Sequence, residues 1–312
     1  GTVVSKFLLD SGHKVKVLDN FIYKNLNAVK ELQKCESFSL IKEDLCSEHI
    51  YQNLMEEITD VIVLGGLVGD PITKKYPELH DKINVNGIKN CINILKKFSF
   101  DKFIFISTCS NYGLISNNEI ADESFPLNPL SLYAKAKVEA EKFILSLKNE
   151  KINFTPIILR FATAFGASPR MRFDLTVNEF AYELLKGNEL LVYDPDTWRP
   201  YCHVNDFSRL IFKVLEDQKT DFRFEVFNAG SNENNFTKRQ IAELLAKKIN
   251  GSKVKFKEGD VDPRNYRVNF RKLSYLNFQI KHNVKDEIDG LIQFIKKNNF
   301  EQKKLYGNYE IN

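Results

Sequence analysis

The feature that most constrains this chain is its alternation of short, almost continuously apolar runs with amphipathic stretches. The runs at 14–19, 37–44, 61–66, 102–107 and 154–160 are rich in Val, Ile, Leu and Phe. Between them lie segments at 85–97 and 133–150 whose apolar residues recur at helical spacing. Strands without polar alternation are buried on both faces, and helices between them supply the cover, so the pattern predicts a doubly wound parallel α/β sheet. After Gly166 the pattern changes to helical stretches broken by short extended pieces, which predicts a smaller C-terminal α+β substrate domain. The boundaries expected are 1–165 and 166–312, with a strand near 225–228 returning to the first domain.

The start of the chain departs from that plan. Residues 2–9 read as a helix, followed by a Ser11-Gly12 turn and a strand at 15–18. A doubly wound domain has a strand and a glycine loop before its first helix, and without them the centre of the sheet has an unfilled slot. The expectation is a natural chain extending upstream by about a dozen residues, from ordinary strand and loop lengths.

Composition removes several function classes. A net charge of +4, with acids interspersed among the bases, argues against nucleic-acid binding. There is no apolar run of the roughly 20 residues a membrane span requires, and the opening residues lack a secretory pattern. Five cysteines without tight pairing (Cys35, Cys46, Cys91, Cys109, Cys202) argue for reduced thiols in a cytoplasm, and no spacing suits a metal.

Tyr133 and Lys137 stand four apart in a helical stretch and so share a face. A lysine ammonium beside a phenol favours phenolate, which lets Tyr133 take a proton from a substrate hydroxyl. The alternative is an ordinary surface pair. The strand at 102–107 ends in Ser107-Thr108-Cys109-Ser110-Asn111-Tyr112-Gly113, at the sheet edge where α/β proteins collect ligands. Thr108 there either binds the substrate oxygen that Tyr133 deprotonates or satisfies a local backbone group.

These motifs, together with Val17-Leu18-Asp19-Asn20, Glu43-Asp44-Leu45, the 159–166 run and Arg199-Pro-Tyr-Cys-His-Val-Asn-Asp206, resemble the extended short-chain dehydrogenase/reductase family of sugar-nucleotide epimerases and dehydratases. The resemblance implies NAD as cofactor, with Gly1 as the last glycine of the cofactor loop. It implies Asp19 and Asn20 at the adenosine ribose, Asp44 and Leu45 at the adenine, and Gly65, Gly66 and Leu67 beside the cofactor. Phe161, Tyr133 and Lys137 complete the cofactor contacts. A carboxylate at Asp19 disfavours the additional phosphate of NADP; Lys24 nearby is the one residue pulling the other way. The implied chemistry is oxidation at C4 of the sugar by Thr108, Tyr133 and Lys137.

The family's dehydratases carry an acid pair directly after the catalytic Thr, whereas this chain has Cys109 and Ser110, which speaks against elimination. Net C4 oxidation is preferred, with a 4-epimerase or 4-reductase as the alternative. A non-catalytic NAD or sugar-nucleotide sensor is the rival from another class. On the substrate side the resemblance implies Thr108, Cys109, Ser110 and Thr163 near the sugar, Arg172 from the 167–173 segment, and Arg199 with Arg264 or Arg267 at the diphosphate. Asn178 is either a phosphate or sugar ligand or a helix N-cap. His203 reads as a packed core histidine and Asp206 as the cap of the following helix. Likeness to members from capsule and lipopolysaccharide gene clusters points to a GDP-linked sugar, with a heptose as candidate. A homodimer through apolar positions at 88–95 and 138–147 is expected.

Overall fold

The computed structural model describes residues 1–218, 221–259 and 264–311, so Asp262 and Pro263 of the arginine-bearing stretch lie outside the described residues. Its strands are β1 (Val15–Leu18), β2 (Phe38–Ile41), β3 (Asp60–Val63), β4 (Ser99–Thr108), β5 (Asn153–Phe161), β6 (Thr163–Phe165), β7 (Glu189–Tyr193), β8 (Trp198–His203), β9 (Glu225–Ala229), β10 (Asn235–Thr237) and β11 (Lys253–Lys257). The longer helices are α1 (Thr2–Asp10), α2 (Ile88–Leu95), α3 (Leu132–Ser146), α4 (Thr176–Leu185), α5 (Val204–Glu216), α6 (Lys238–Lys248) and α7 (Val284–Asn298).

β3, β4, β5 and β9 form one fully parallel sheet in that order. The reason is visible in its centre: Phe103, Ile104 and Phe105 on β4, and Ile157, Ile158 and Leu159 on β5, are all buried, as residues of both faces must be when helices cover both sides. β9 comes after α4 and α5 in the chain, between segments of the second lobe, and pairs with β5. The second lobe holds the smaller sheets β6-β8-β10 and β7-β11 and its own core, which includes Phe165, Phe173 and Tyr201.

β1 and β2 pair parallel with each other and stand apart from the larger sheet. Among the described residues no strand is hydrogen-bonded between β1 and β3. Both strands that border this seam are mostly half-buried, and Asp60 of β3 has a buried carboxylate oxygen without a partner. α1 packs beside the seam against α5, with the Phe7 and Phe212 rings 5.6 Å apart.

Two helix starts differ from expectation. The segment expected as a helix at 85–97 begins inside a π-helical turn, Asp81–Gly87, before α2. Asn84 in that turn directs its carboxamide at the Leu67 backbone, and π turns often mark such diversions. Asp206 is not the cap of α5: His203 is, its Nδ1 accepting from the Asn205 N–H at 3.2 Å. Asp206 instead accepts from the backbone N–H groups of Lys281 and His282 and pairs with Arg209, so it fixes the approach to α7. His203 is buried, stacked on His282 at 4.8 Å, with burial pushing its pKa down to about 4.

Of the apolar positions expected at a dimer face, Val138, Ile144 and Leu147 of the 138–147 stretch, and Ile88, Ile92 and Leu95, are buried, because both helices pack on the sheet, while Phe143 and Leu145 are only half-buried. Among the described residues no helix is long and apolar enough to cross a membrane.

Candidate functional site

α3 begins where the Ser131 hydroxyl caps it, accepting from the Ala134 N–H at 3.2 Å. That start sets the phase of the helix and turns Tyr133, Lys137 and Glu141 to one face, above the C-terminal end of β4. The Lys137 ammonium donates to the Ile106 carbonyl at 2.7 Å and lies 4.5 Å from the Phe105 ring. Its distance to the Tyr133 ring centre is 5.9 Å.

Burial, the largest influence, holds the Tyr133 phenol above its ordinary pKa, and Arg172 acts in the opposite direction. The expected activation of the phenol by Lys137 is therefore not what this arrangement displays; the cation facing Tyr133 is Arg172. Lys137 itself is depressed to about 8 by burial, with Glu141 opposing. Near neutrality a lysine so placed is close to its own titration point, which suits proton exchange.

Thr108 closes β4. Its Oγ1 accepts from the Ser110 N–H at 3.1 Å, which uses a lone pair and leaves the hydroxyl hydrogen available to a ligand. The local-backbone alternative and the ligand role are thus compatible. Cys109 does not join it: the thiol is buried, donates to the Arg160 carbonyl at 3.2 Å and is raised by burial. Cys109 is corrected from a substrate contact to a core residue. Ser110 shares a hydrogen bond with the Tyr266 hydroxyl at 3.1 Å, and the Tyr266 ring lies 5.1 Å from the Arg199 guanidinium.

On the cofactor side, Gly1 opens α1, its carbonyl accepting from the Ser5 N–H. Asp19 ends β1 with an exposed carboxylate, one oxygen of which accepts from the Phe21 N–H at 2.7 Å. Asn20 donates to Asp44 at 3.3 Å. Burial pushes the Asp44 pKa up, but hydrogen bonds from Cys46 and Asn20 outweigh it and hold the carboxyl below its usual range.

Gly65 and Gly66 follow β3. A Cβ on Gly65 would stand 3.1 Å from Leu45, and Gly66 has φ +144° with Asn84 Oδ1 only 3.0 Å from where its Cβ would be. These glycines are required by close approach and by backbone conformation. Asn84 both accepts from and donates to the buried Leu67 backbone, and it meets His80 at 2.9 Å. Phe161, at the end of β5, stacks on Phe207 at 3.7 Å. Thr163 is half-buried at the start of β6.

The second lobe contributes arginines. Arg172 forms a two-pronged pair with Asp174 at 2.7 and 2.6 Å. Arg170 lies 4.8 Å from the Tyr23 ring, so the 167–173 segment reaches the loop after β1 as well as Tyr133. Arg199 donates to the Trp198 and Arg264 carbonyls. Arg264 pairs with Asp70 of the first lobe. Arg267 donates to the Asn117 carbonyl, stacks 5.2 Å from the Trp198 ring and lines a cleft of about 330 Å³ with Trp198 and Arg271. Asn178 is neither an N-cap nor an open ligand: its carboxamide accepts from the Gly166 N–H at 3.0 Å and donates to the Arg172 carbonyl. It braces the loop that carries Arg170 and Arg172.

Tyr266, Asn84, Tyr23 and Glu141 were not legible as site residues. Glu141 alone left a signal, recurring four residues after Lys137 on the same helical face.

Exposed glycine backbone, a strand-end carboxylate and a Tyr-Lys helix face meeting a Thr-ended strand define a dinucleotide-using oxidoreductase site. Residues 1–230 match the model of the NAD dependent epimerase/dehydratase family. The chain belongs to that family, and it is an enzyme whose cofactor is NAD. Among curated relatives, a UDP-glucuronate 4-epimerase of Thermodesulfobacterium geofontis is 25% identical, covering 96% of this chain and 93% of its own. A UDP-glucose 4-epimerase of Bacillus subtilis is 25% identical over 82% of this chain and 80% of its own. Among solved structures, the dTDP-glucose 4,6-dehydratase of Bacillus anthracis with NAD superposes with a TM-score of 0.85 at 22% identity, covering 98% and 96%. This likeness bears on the fold, which is the same α/β arrangement.

Proposed function

We propose that this enzyme oxidises the C4 hydroxyl of a nucleotide-linked sugar, with a GDP-linked sugar, a heptose among them, as the preferred substrate. The observation that carries the reading is the convergence of Tyr133, Lys137 and Thr108 from two elements, α3 and β4, at one strand end. Asp19, Asn20, Asp44, Leu45 and the Gly65–Leu67 turn are the residues proposed to hold NAD, and they fit it: Gly66 has a φ of +144° that side-chain-bearing residues rarely adopt, and a Cβ there would crowd Asn84 Oδ1 at 3.0 Å. NAD supplies a two-electron hydride acceptor when bound.

The chain's own part is as follows. Thr108 donates its free hydroxyl hydrogen to the substrate oxygen and fixes it beside Tyr133. Tyr133 takes the hydroxyl proton, its high pKa lowered by Arg172 and by the Lys137 ammonium once a polar ligand replaces the dry surroundings. Lys137 holds the cofactor ribose and relays the proton. Arg199, Arg264 and Arg267 grip the diphosphate, which requires Arg264 to exchange Asp70 for phosphate oxygens. Ser110 and Tyr266 present hydroxyls to the sugar. The rotated-intermediate route of a 4-epimerase is the second reading, favoured by the activities named for the curated relatives. The buried Cys109 thiol speaks against a 4,6-dehydratase.

A cytoplasmic location accords with five unpaired cysteines. A homodimer through the faces of α2 and α3 belongs to this reading, with the half-buried Phe143 and Leu145 as its apolar contacts.

The test is incubation of the full-length chain with NAD and a panel of GDP-, UDP- and dTDP-sugars, read by mass spectrometry and sugar NMR. Loss of two hydrogens supports C4 oxidation, and unchanged mass with an inverted C4 supports the second reading. Loss of water, or no change across the panel with NAD bound, overturns both; the latter leaves a sensor.

A further inference from the structure

The catalytic groups come from two separate elements, and something must hold one in register with the other. Among the described residues, the direct tie made by the catalytic residues themselves is the Lys137 bond to the Ile106 carbonyl. One turn further along α3, Glu141 makes the rest. It is buried, and one of its oxygens receives the Ser107 hydroxyl and, at 2.9 Å, the Asn111 carboxamide. Ser107 immediately precedes Thr108, and Asn111 lies in the turn immediately after it, so the two donors bracket the residue that binds substrate. Asn111 also donates to Ser107 at 3.1 Å, closing the bracket.

Behind Glu141 stands Arg160 of β5, bound to both carboxylate oxygens at 2.7 to 3.2 Å and itself buried. Arg160 continues to the Tyr112 hydroxyl at 3.0 Å, which donates to Asn228 of β9 at 2.7 Å. A buried carboxylate with every lone pair directed at a donor is a rigid fixture, because leaving any member unpaired in this dry setting is costly.

We propose that Glu141, with Arg160 behind it, is the positioning pair of the site: it registers the Tyr133–Lys137 face of α3 against the Thr108 end of β4 and acts as the counter-charge of Lys137. This rests on the assignment of Lys137 to the cofactor and proton path. Lys137 meets the Tyr133 ring of α3 and the Phe105 ring and Ile106 carbonyl of β4, with Glu141 one turn further along the same helix face and Arg160 paired to Glu141 behind it. Of these, Glu141 is the one anion, and it is the group that raises the proton affinity of Lys137 against burial.

A purely structural ion pair and a counter-charge make different predictions. Glu141→Gln keeps the size and some acceptors but removes the charge, so Lys137 should lose its proton about one pH unit lower than in the parent. Glu141→Asp keeps the charge on a shorter arm and should retain the parental midpoint while lowering turnover by misplacing Thr108.

The experiment measures, on the full-length chain, the pH dependence of Lys137 labelling by trinitrobenzenesulfonate, quantified by peptide mass spectrometry, and in parallel the pH dependence of NADH binding by fluorescence. Expected are a labelling midpoint lowered by about one unit in Glu141→Gln, and parental in Glu141→Asp. NADH affinity should decline at correspondingly lower pH in the Gln variant only. A Gln variant that labels with the parental midpoint while NADH binding weakens equally at every pH overturns the proposal. If the parent fails to bind NADH at all, the cofactor assignment fails, while the labelling midpoints still judge Glu141. Should the Gln variant not fold, Arg160→Lys replaces it: weaker pairing leaves Glu141 a stronger anion toward Lys137, and the midpoint should rise, with an unchanged midpoint counting against the proposal.

Discussion

Gly66→Ala isolates the cofactor cradle. The residue sits at φ +144°, and its new Cβ would stand 3.0 Å from Asn84 Oδ1. Alanine in that backbone region is strained by roughly 1–3 kcal/mol. The carboxamide it meets cannot simply retreat, since it bonds the Leu67 N–H and carbonyl at 2.7 Å each. Displacing Asn84 forfeits buried hydrogen bonds worth about 1 kcal/mol each. The total expected is about 3–5 kcal/mol in urea unfolding. Gly12→Ala is the control: it has φ +89° but open space around its Cβ, so only the strain applies. NADH binding by fluorescence should fall at least about tenfold in Gly66→Ala, which corresponds to about 1.4 kcal/mol, and stay near parental in Gly12→Ala. Equal stability loss in the two variants, with equal NADH affinity, would refute the argument that this turn is shaped by close approach.

Three further outcomes follow from the charges. Lys137 binds its proton less tightly in the folded chain, at about 8, than at the ordinary lysine value of 10.5, so this group's contribution to stability improves as pH rises from 8 to 10.5. The parent should therefore gain on Lys137→Met by about 3 kcal/mol across that window in urea titrations, and a flat difference would contradict the burial of a charged lysine. His203 is held down to about 4, so folding stability falls as pH drops from 6.5 toward 4; His203→Gln should flatten that limb of a thermal-melt pH series. Arg264→Ala should raise KM for a nucleotide sugar with little effect on NADH affinity, because Arg264 bridges to Asp70 and not to the cofactor cradle.

The alternation of apolar runs was enough to predict the parallel sheet, because strands buried on both faces cannot afford polar alternation. What the sequence concealed was the direction of polar side chains in the interior. Asp206 and Asn178 both stand in first turns of helices, where capping is the usual use, yet tertiary partners at Lys281 and Gly166 claim them. Cys109 follows Thr108 by one residue, and the turn that starts there swings it into the core. The dryness around Tyr133 was hidden too, since four residues on a helix fix a face shared with Lys137 but not how buried that face is. Glu141 was hidden because its partners come from 30 or so residues away on β4 and from β5.

The central claim is that Tyr133 performs proton transfer at a nucleotide-sugar hydroxyl. Its most direct test compares the parent with Tyr133→Phe, using a sugar from the panel carrying deuterium at C4 and mass spectrometry of the NAD pool. The account predicts deuterium in the cofactor of the parent, or returned to inverted sugar, and at least a hundredfold slower transfer in the variant, with NADH affinity within about twofold of parental. Transfer at the parental rate in Tyr133→Phe, or no transfer by either form while both bind NADH, would contradict it.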